Sequence, residues 1–453
     1  MLTLVAFVVA IAVLVTVHEW GHYAIARACG VKVLRFSVGF GPRVLGWTSA
    51  TTRTEYIVGL LPVGGYVKML DEQGGPVVLA ERHIAFNNQP LPRKAAIVAA
   101  GPIANLILAI ALYSMVNWIG VVQPEAILSQ PPAKSILADA GFRGGEKISK
   151  VGFEGEATDA IASFDAFRWW LAKGVVENRN VQVEFLAHDG ESIHSALLKL
   201  AEIDSQQVDA KLFQEIGVSG PYSPARLGEV VSGGAAAQAN LMVGDLVLRV
   251  DGINIVDAAQ LRELVRASGR SGTPKPQDWL VSRHGEPRQI SVLPRLVQEG
   301  EVSFGRIGAV VGAPPAMTLI QYGLLDGVGE AIRRTWETSF LTLRVMGQIV
   351  IGQASLKNLS GPVTIADYAG KSAAMGFTQF LSFLALMSVS LGVLNLLPLP
   401  VLDGGHLMYY LWEALSGKPV APFWTEQLQK GGLVILLMMM SVAIVNDVTR
   451  LLP

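Results

Sequence analysis

Four stretches of this chain carry no charge over lengths that a water-soluble fold rarely tolerates. A bilayer's hydrocarbon core is roughly 30 Å thick and a helix rises about 1.5 Å per residue, so about 20 apolar residues make one crossing. Met1 to Val17 reads MLTLVAFVVAIAVLVTV and continues through HEWGHYAIA before Arg27. Ala95 to Gln123 has no charged residue, and Ser372 to Leu402 has none until Asp403. The fourth stretch, Gly431 to Asn446, has 16 residues and needs its flanks to span. Only 16% of the chain is charged, against about 25% in soluble domains. The first run lacks the positive n-region of a cleavable signal peptide, since no Lys or Arg precedes Arg27. These runs predict a polytopic α-helical membrane protein with four transmembrane helices.

Charge also gives sidedness. Residues 27–94 hold nine Lys/Arg against Glu55, Asp71, Glu72 and Glu81, which the positive-inside rule places in the cytoplasm. The N-terminus, residues 124–371 and the C-terminus then lie outside. The formal net charge of −1 leaves no basic field for a nucleic-acid partner. A single cysteine, Cys29, excludes an internal disulfide or a Cys-rich metal site. Any metal has to be held by His and carboxylate.

The outside region contains a repeat. Gly145-Glu146-Lys147-Ile148-Ser149-Lys150-Val151 aligns on Gly244-Asp245-Leu246-Val247-Leu248-Arg249-Val250 with an offset of 99 residues. In each copy a helical stretch leads through a Gly-acidic turn into an alternating strand, and a second helical stretch follows. This pattern resembles circularly permuted PDZ domains, with Glu146 where Asp is more usual. The resemblance implies modules that bind extended peptides by strand addition; two such β-rich modules are expected, at 124–220 and 221–308. Residues 309–371 read as a linker whose segment from Asp326 to Leu356 mixes apolar stretches with charges, as an interfacial amphipathic helix does.

The first run ends in His18-Glu19-Trp20-Gly21-His22, an H-E-x-x-H. Positions i and i+4 share a helix face, so His18 and His22 can turn one nitrogen each to one zinc ion, with Glu19 beside it as general base. Ionisable groups within a membrane helix are costly and functional by default. A catalytic zinc takes three protein ligands and leaves a place for water. His188, His194 and His284 fall in the outside modules; His83, His406 and the carboxylates remain. Asp403 follows 31 uncharged residues and two helix-breaking prolines, Pro398 and Pro400. Seventeen helical residues carry His18 about 25 Å inward, to the edge where the third run also arrives, so His18, His22 and Asp403 can meet. His406 competes for the third place, and Asp403 can serve as a helix N-cap as well.

With H-E-W-G-H in a first hydrophobic segment, N-L-L-P-L-P-V-L-D-G in a later one and PDZ-like modules between, the chain resembles the site-2 protease family of intramembrane zinc metalloproteases. It is most similar to the bacterial members with tandem PDZ domains that act in sigma-E regulation. The resemblance runs the full length and includes Phe36 to Pro42, Leu61 to Met69, Gly101-Pro102 with Asn105, and Ser360 to Thr364, where Thr364 replaces a family Gly. It implies zinc as cofactor with His18, His22 and Asp403 as ligands, Glu19 as catalytic base, Asn395 as substrate-binding or oxyanion-supporting, and Gly64-Gly65-Tyr66 in a membrane-associated β-structure that pairs with unwound substrate. The expected architecture is 1–123 with the first two spans and a cytoplasmic β loop, 124–308 with the modules, 309–371 as linker and 372–453 with the last two spans. The resemblance further implies a bacterial inner-membrane location with the site near the cytoplasmic side. The implied substrates are single-span membrane proteins, such as an anti-sigma factor already shortened outside, and leftover signal peptides. The modules then exclude intact substrates by size or read a new C-terminus. The competing reading is a membrane zinc carrier or a PDZ receptor. A carrier calls for acidic or His relays on other spans, whereas the strongest polar groups of the second span are Asn105 and Asn117.

Overall fold

A computed structural model of the protein describes residues 1–72, 75, 77–187, 192–203, 210–270, 272, 274–299, 302–351 and 361–451. His188 and Ser360 lie outside the described residues. Two units emerge: Met1–Val121 together with Gln321–Pro453, and Val122–Ile320 between them.

The first unit opens with α1 (Leu2–Ala28), which is apolar on nearly every face as far as Val17. Leu4, Val5 and Val9 point outward, an arrangement stable only where the solvent is itself apolar. β1 (Val33–Thr48) and β2 (Glu55–Met69) follow as an antiparallel pair. Each strand is long enough to fold back, and the register gives the spatial order 43–48, 55–59, 33–38, 65–69, with 33–38 between two segments of β2. Gly39 and Gly64 take positive φ at the bends, where a Cβ would be strained. Phe40, Leu45, Trp47, Leu60 and Leu61 are exposed on this sheet, an apolar surface that suits a membrane-facing position. α2 (Leu91–Ile119) has Pro92 in its first turn, carries Pro102 inside and stops at Gly120.

The second unit begins within β3 (Val121–Pro124) and holds the two β-rich copies. The first runs α3 (Ile136–Asp139), β4 (Lys147–Phe153), β5 (Asp159–Ala160), α4 (Phe164–Val176), β6 (Val181–Leu186), β7 (Ile193–Leu198) and α5 (Ala210–Ile216). The second runs β8 (Leu227–Val230), α6 (Ala235–Gln238), β9 (Leu246–Val250), β10 (Ile253–Asn254), α7 (Ala258–Ala267), β11 (Gln277–Arg283) and β12 (Glu286–Val292). Their four-stranded sheets share one topology, β5-β4-β6-β7 and β10-β9-β11-β12. Each long helix is capped by a side chain, Ser163 on Ala166 and Asp257 on Gln260. The acidic residue of the Gly-acidic turn also has one job in both copies. Glu146 accepts from the backbone N–H of Arg143 and Gly144 at 2.7 and 2.8 Å, and Asp245 accepts from Met242 at 2.9 Å. The longer Glu reaches two donors, which explains its tolerance there. Asp257 additionally accepts from Gln130 N–H at 2.6 Å, tying the second copy to the first.

After β13 (Arg295–Glu299) and β14 (Val302–Arg306), residues 309–320 form β15 (Ala309–Val311) on β8 and β16 (Met317–Ile320) on β3. The linker expected from 309 therefore starts only after Ile320, because these residues complete the ladders of the inserted unit.

The first unit resumes with α8 (Leu324–Val350), which packs on α2 and α10 through a stripe including Ala331 and Thr335. α9 (Pro362–Met375) and α10 (Phe377–Asn395) divide the third charge-free run at Gly376, whose φ of +124° ends the first helix. A loop over 396–402 carries Pro398 and Pro400 into α11 (Asp403–Ser416), and α12 (Pro422–Leu451) ends the unit. Among the described residues, four helices are long and apolar enough to cross a membrane: α1, α2, α10 and Pro422–Thr449 of α12. The core of the unit joins Ala10, Ala109, Leu112, Val116, Leu384 and Val389 from α1, α2 and α10.

Candidate metal centre

One turn of α1 separates His18 from His22, and their rings meet edge to face with centroids 4.8 Å apart. Their Nε2 atoms lie 3.2 Å from each other. Oδ2 of Asp403, the first residue of α11, is 3.2 Å from His18 Nε2 and 3.5 Å from His22 Nε2. Ligand bonds of 2.0–2.1 Å in a tetrahedron give edges of roughly 3.3 Å, so this triangle has the dimensions of three vertices around one zinc. Among the described residues, these three form the group of His, Cys and acidic side chains able to hold a metal. His406 is not in that group; its ring sits against Tyr409. Leu402, not Asp403, occupies the N-cap position of α11.

Local sequence explains how Asp403 gets there. A Cβ on Gly404 would overlap the Leu397 carbonyl, and one on Gly405 the Leu399 carbonyl. The first turn of α11 therefore lies flat on the preceding loop, which only glycine allows. Lys94 of α2 then holds α11 through Glu413 at 3.8 Å and the Tyr410 ring at 5.5 Å.

Glu19 sits beside the triangle with β2 against it. A Cβ on Gly65 would stand 3.0 Å from Glu19 Cγ. Gly64 packs on Phe40, while the Tyr66 hydroxyl turns to Arg35 at 3.2 Å and its ring stacks on Phe40. Among the described residues the 65–69 segment is paired on one side only, with 33–38. Asn395 is the last residue of α10, partly exposed, and does not belong to the ligand triangle.

Sequence reasoning gave no role to the groups on α2 that complete the centre. His22 Nδ1 donates to the Ile97 carbonyl at 2.8 Å, which leaves Nε2 free as a ligand atom. Gly101 faces both imidazoles, and a Cβ there would overlap His22 Nε2. On the facing helix a Cβ on Gly21 would overlap the Ala100 carbonyl. The two glycines let α1 and α2 cross at near contact, as small residues do between membrane helices. Asn105, one turn on from Gly101, is fully buried with its carboxamide 3.1 Å from His18 Nδ1.

The model of peptidase family M50 matches residues 6–439. The chain belongs to peptidase family M50. Relatives of this M50 peptidase include "Putative zinc metalloprotease RSc1411" of Ralstonia nicotianae, 41% identical over 100% of this chain and 99% of the relative. "Regulator of sigma-E protease RseP" of Escherichia coli is 36% identical over 99% and 98%, and "Protease RseP" of Yersinia pestis is 37% identical over 99% of each. The M50 match takes in the H-E-W-G-H turn, the α2 groups behind it and the Asp403 turn within one family domain.

Proposed function

We propose that this M50 peptidase is an intramembrane zinc metalloprotease that cleaves single-span membrane proteins inside the bilayer. The observation that carries the reading is the triangle of His18, His22 and Asp403 with Glu19 at its side, three of the four on α1, a helix apolar enough to cross a membrane. The donor set, two neutral imidazoles and one carboxylate, suits zinc. When bound, zinc supplies a Lewis acid for the scissile carbonyl and an acidified water.

The chain's residues do the rest. Glu19 takes the proton of the attacking water and hands it to the leaving amine. A helical substrate hides its carbonyls in its own hydrogen bonds, so it unwinds before it reacts, and the lost bonds need new partners in an apolar medium. The open side of Gly65-Tyr66-Val67, with Gly64 at its start, offers them by strand addition next to Glu19. Asn395 supports the substrate carbonyl from the end of α10.

Orientation follows the charge of residues 27–94: the site lies near the cytoplasmic face of a bacterial inner membrane, and the two inserted PDZ-like modules are periplasmic. Relatives named as regulators of sigma-E support an anti-sigma factor as substrate. Cleavage of a labelled single-span substrate by purified protein in detergent, lost with a zinc chelator and restored by zinc, tests the proposal; cleavage unaffected by the chelator refutes it.

A further inference from the structure

Asn105 makes two buried contacts that a packing residue does not need. Its carboxamide faces His18 Nδ1 at 3.1 Å, and its backbone carbonyl accepts from the Ser388 hydroxyl of α10 at 2.7 Å. Both residues are fully buried, so α2 and α10 hold the amide against the imidazole.

Which end of the amide faces His18 can be settled by accounting for protons. With Nδ2 toward the ring, Nδ1 has to be the lone-pair nitrogen, which puts the ring proton on Nε2. Nε2 is the atom that points at His22 and Asp403, so that tautomer blocks the ligand position. Among the described residues the far end of the amide has no hydrogen-bond partner in either orientation, so the ligand position decides between them. Turning the amide over puts Oδ1 on the Nδ1–H and frees Nε2. Amide oxygen and nitrogen are assigned from such networks.

We infer that Asn105 is the positioning residue of the metal centre: its side-chain oxygen accepts the His18 Nδ1 proton and so fixes the tautomer and ring plane that present Nε2 to zinc. His22 gets the same treatment from a backbone carbonyl, that of Ile97. The two ligands of the H-E-x-x-H are thus oriented from one helix, by Ile97 and Asn105 on either side of Gly101. This assignment rests on the metal-centre reading above.

The test measures zinc affinity of the full-length protein in detergent by competition with a chromophoric chelator, alongside the visible spectrum of the cobalt-loaded form. Asn105→Leu keeps the volume and removes the acceptor; Asn105→Ala is the second removal should Leu disturb folding. Both should bind zinc about 10–100-fold more weakly and shift the cobalt bands. Asn105→Asp keeps an acceptor in place and should bind at least as tightly as wild type. Wild-type affinity in Asn105→Leu, or equal losses in the Leu, Ala and Asp variants, overturns the assignment. Wild-type protein that binds no zinc, or a His18→Ala variant that binds as well as wild type, refutes the metal centre itself.

Discussion

Gly101 touches His22 with its bare Cα: no Cβ fits between the α2 backbone and the imidazole Nε2. The site depends on that missing methyl group. Gly101→Ala has to push the ring away from Asp403 or separate α1 from α2, and overpacking of this kind costs about 1–3 kcal/mol. The expected result is a folded protein with reduced zinc content and peptidase activity at least 10-fold down by the order of effect that a displaced ligand produces. Metal analysis and cleavage assays on the same preparation check it.

Glu19→Gln should separate binding from chemistry. The amide cannot take a proton, so cleavage should fall by about 100-fold or more, while the three ligands keep zinc. His18→Ala, His22→Ala and Asp403→Ala should lose metal together with activity. Full zinc content in Asp403→Ala would move the third ligand elsewhere.

How much of this was legible in the sequence depends on how local each cause is. The H-E-x-x-H spacing fixes two rings on one face whatever surrounds it, and the charge-free runs bring Asp403 to the same depth; both readings needed only periodicity and length. Gly101 and Asn105 stood in plain view next to Pro102 but had no assignable role. What they do exists only where α1 crosses α2, and nothing local encodes that crossing. The third run read as continuous because it lacks charge, yet Gly376 divides it by backbone conformation. Residues 309–320 looked like linker because β15 and β16 are short and pair with strands far away in sequence.

The inserted unit carries its own pH dependence. Burial pushes the Asp245 carboxyl up, but the bidentate Arg283 guanidinium at 2.7–2.8 Å outweighs it and holds the group below the ordinary carboxylate range. A depressed folded-state value means stability that is fully present above the unfolded pKa of about 3.9 and is lost as pH falls through the lower folded one. Thermal unfolding of the unit in the full-length protein should therefore be level from pH 7 to about 5 and drop below about 4. Arg283→Ala strands a buried carboxylate and should cost about 3 kcal/mol at neutral pH. Calorimetry across this range is the check.

Topology is open to a direct test. Reporters placed within 124–306 should behave as periplasmic, and those within 71–92 as cytoplasmic. The opposite pattern would invert the proposed membrane orientation.

The inserted modules should govern access rather than chemistry. Glu125 N–H donates to the Ala316 carbonyl at 2.8 Å, so excising the residues between them leaves ends that a short turn can join. The shortened protein should still cleave trimmed substrates and should accept those with large intact outside domains. If the modules instead capture a new C-terminus, the excision should slow cleavage of trimmed substrates, because the local concentration is lost. Unchanged selectivity and rate would leave them as spacers.

That same strand pairing says something about how such a chain can change over evolutionary time. Entry through β3 and exit through β16 run side by side, so at its attachment point the insertion narrows to two paired strands. A duplication inside it, such as the one that left two copies of a single sheet order, lengthens the loop without moving its feet. The helical unit can thus keep its geometry while the inserted unit is doubled, trimmed or exchanged.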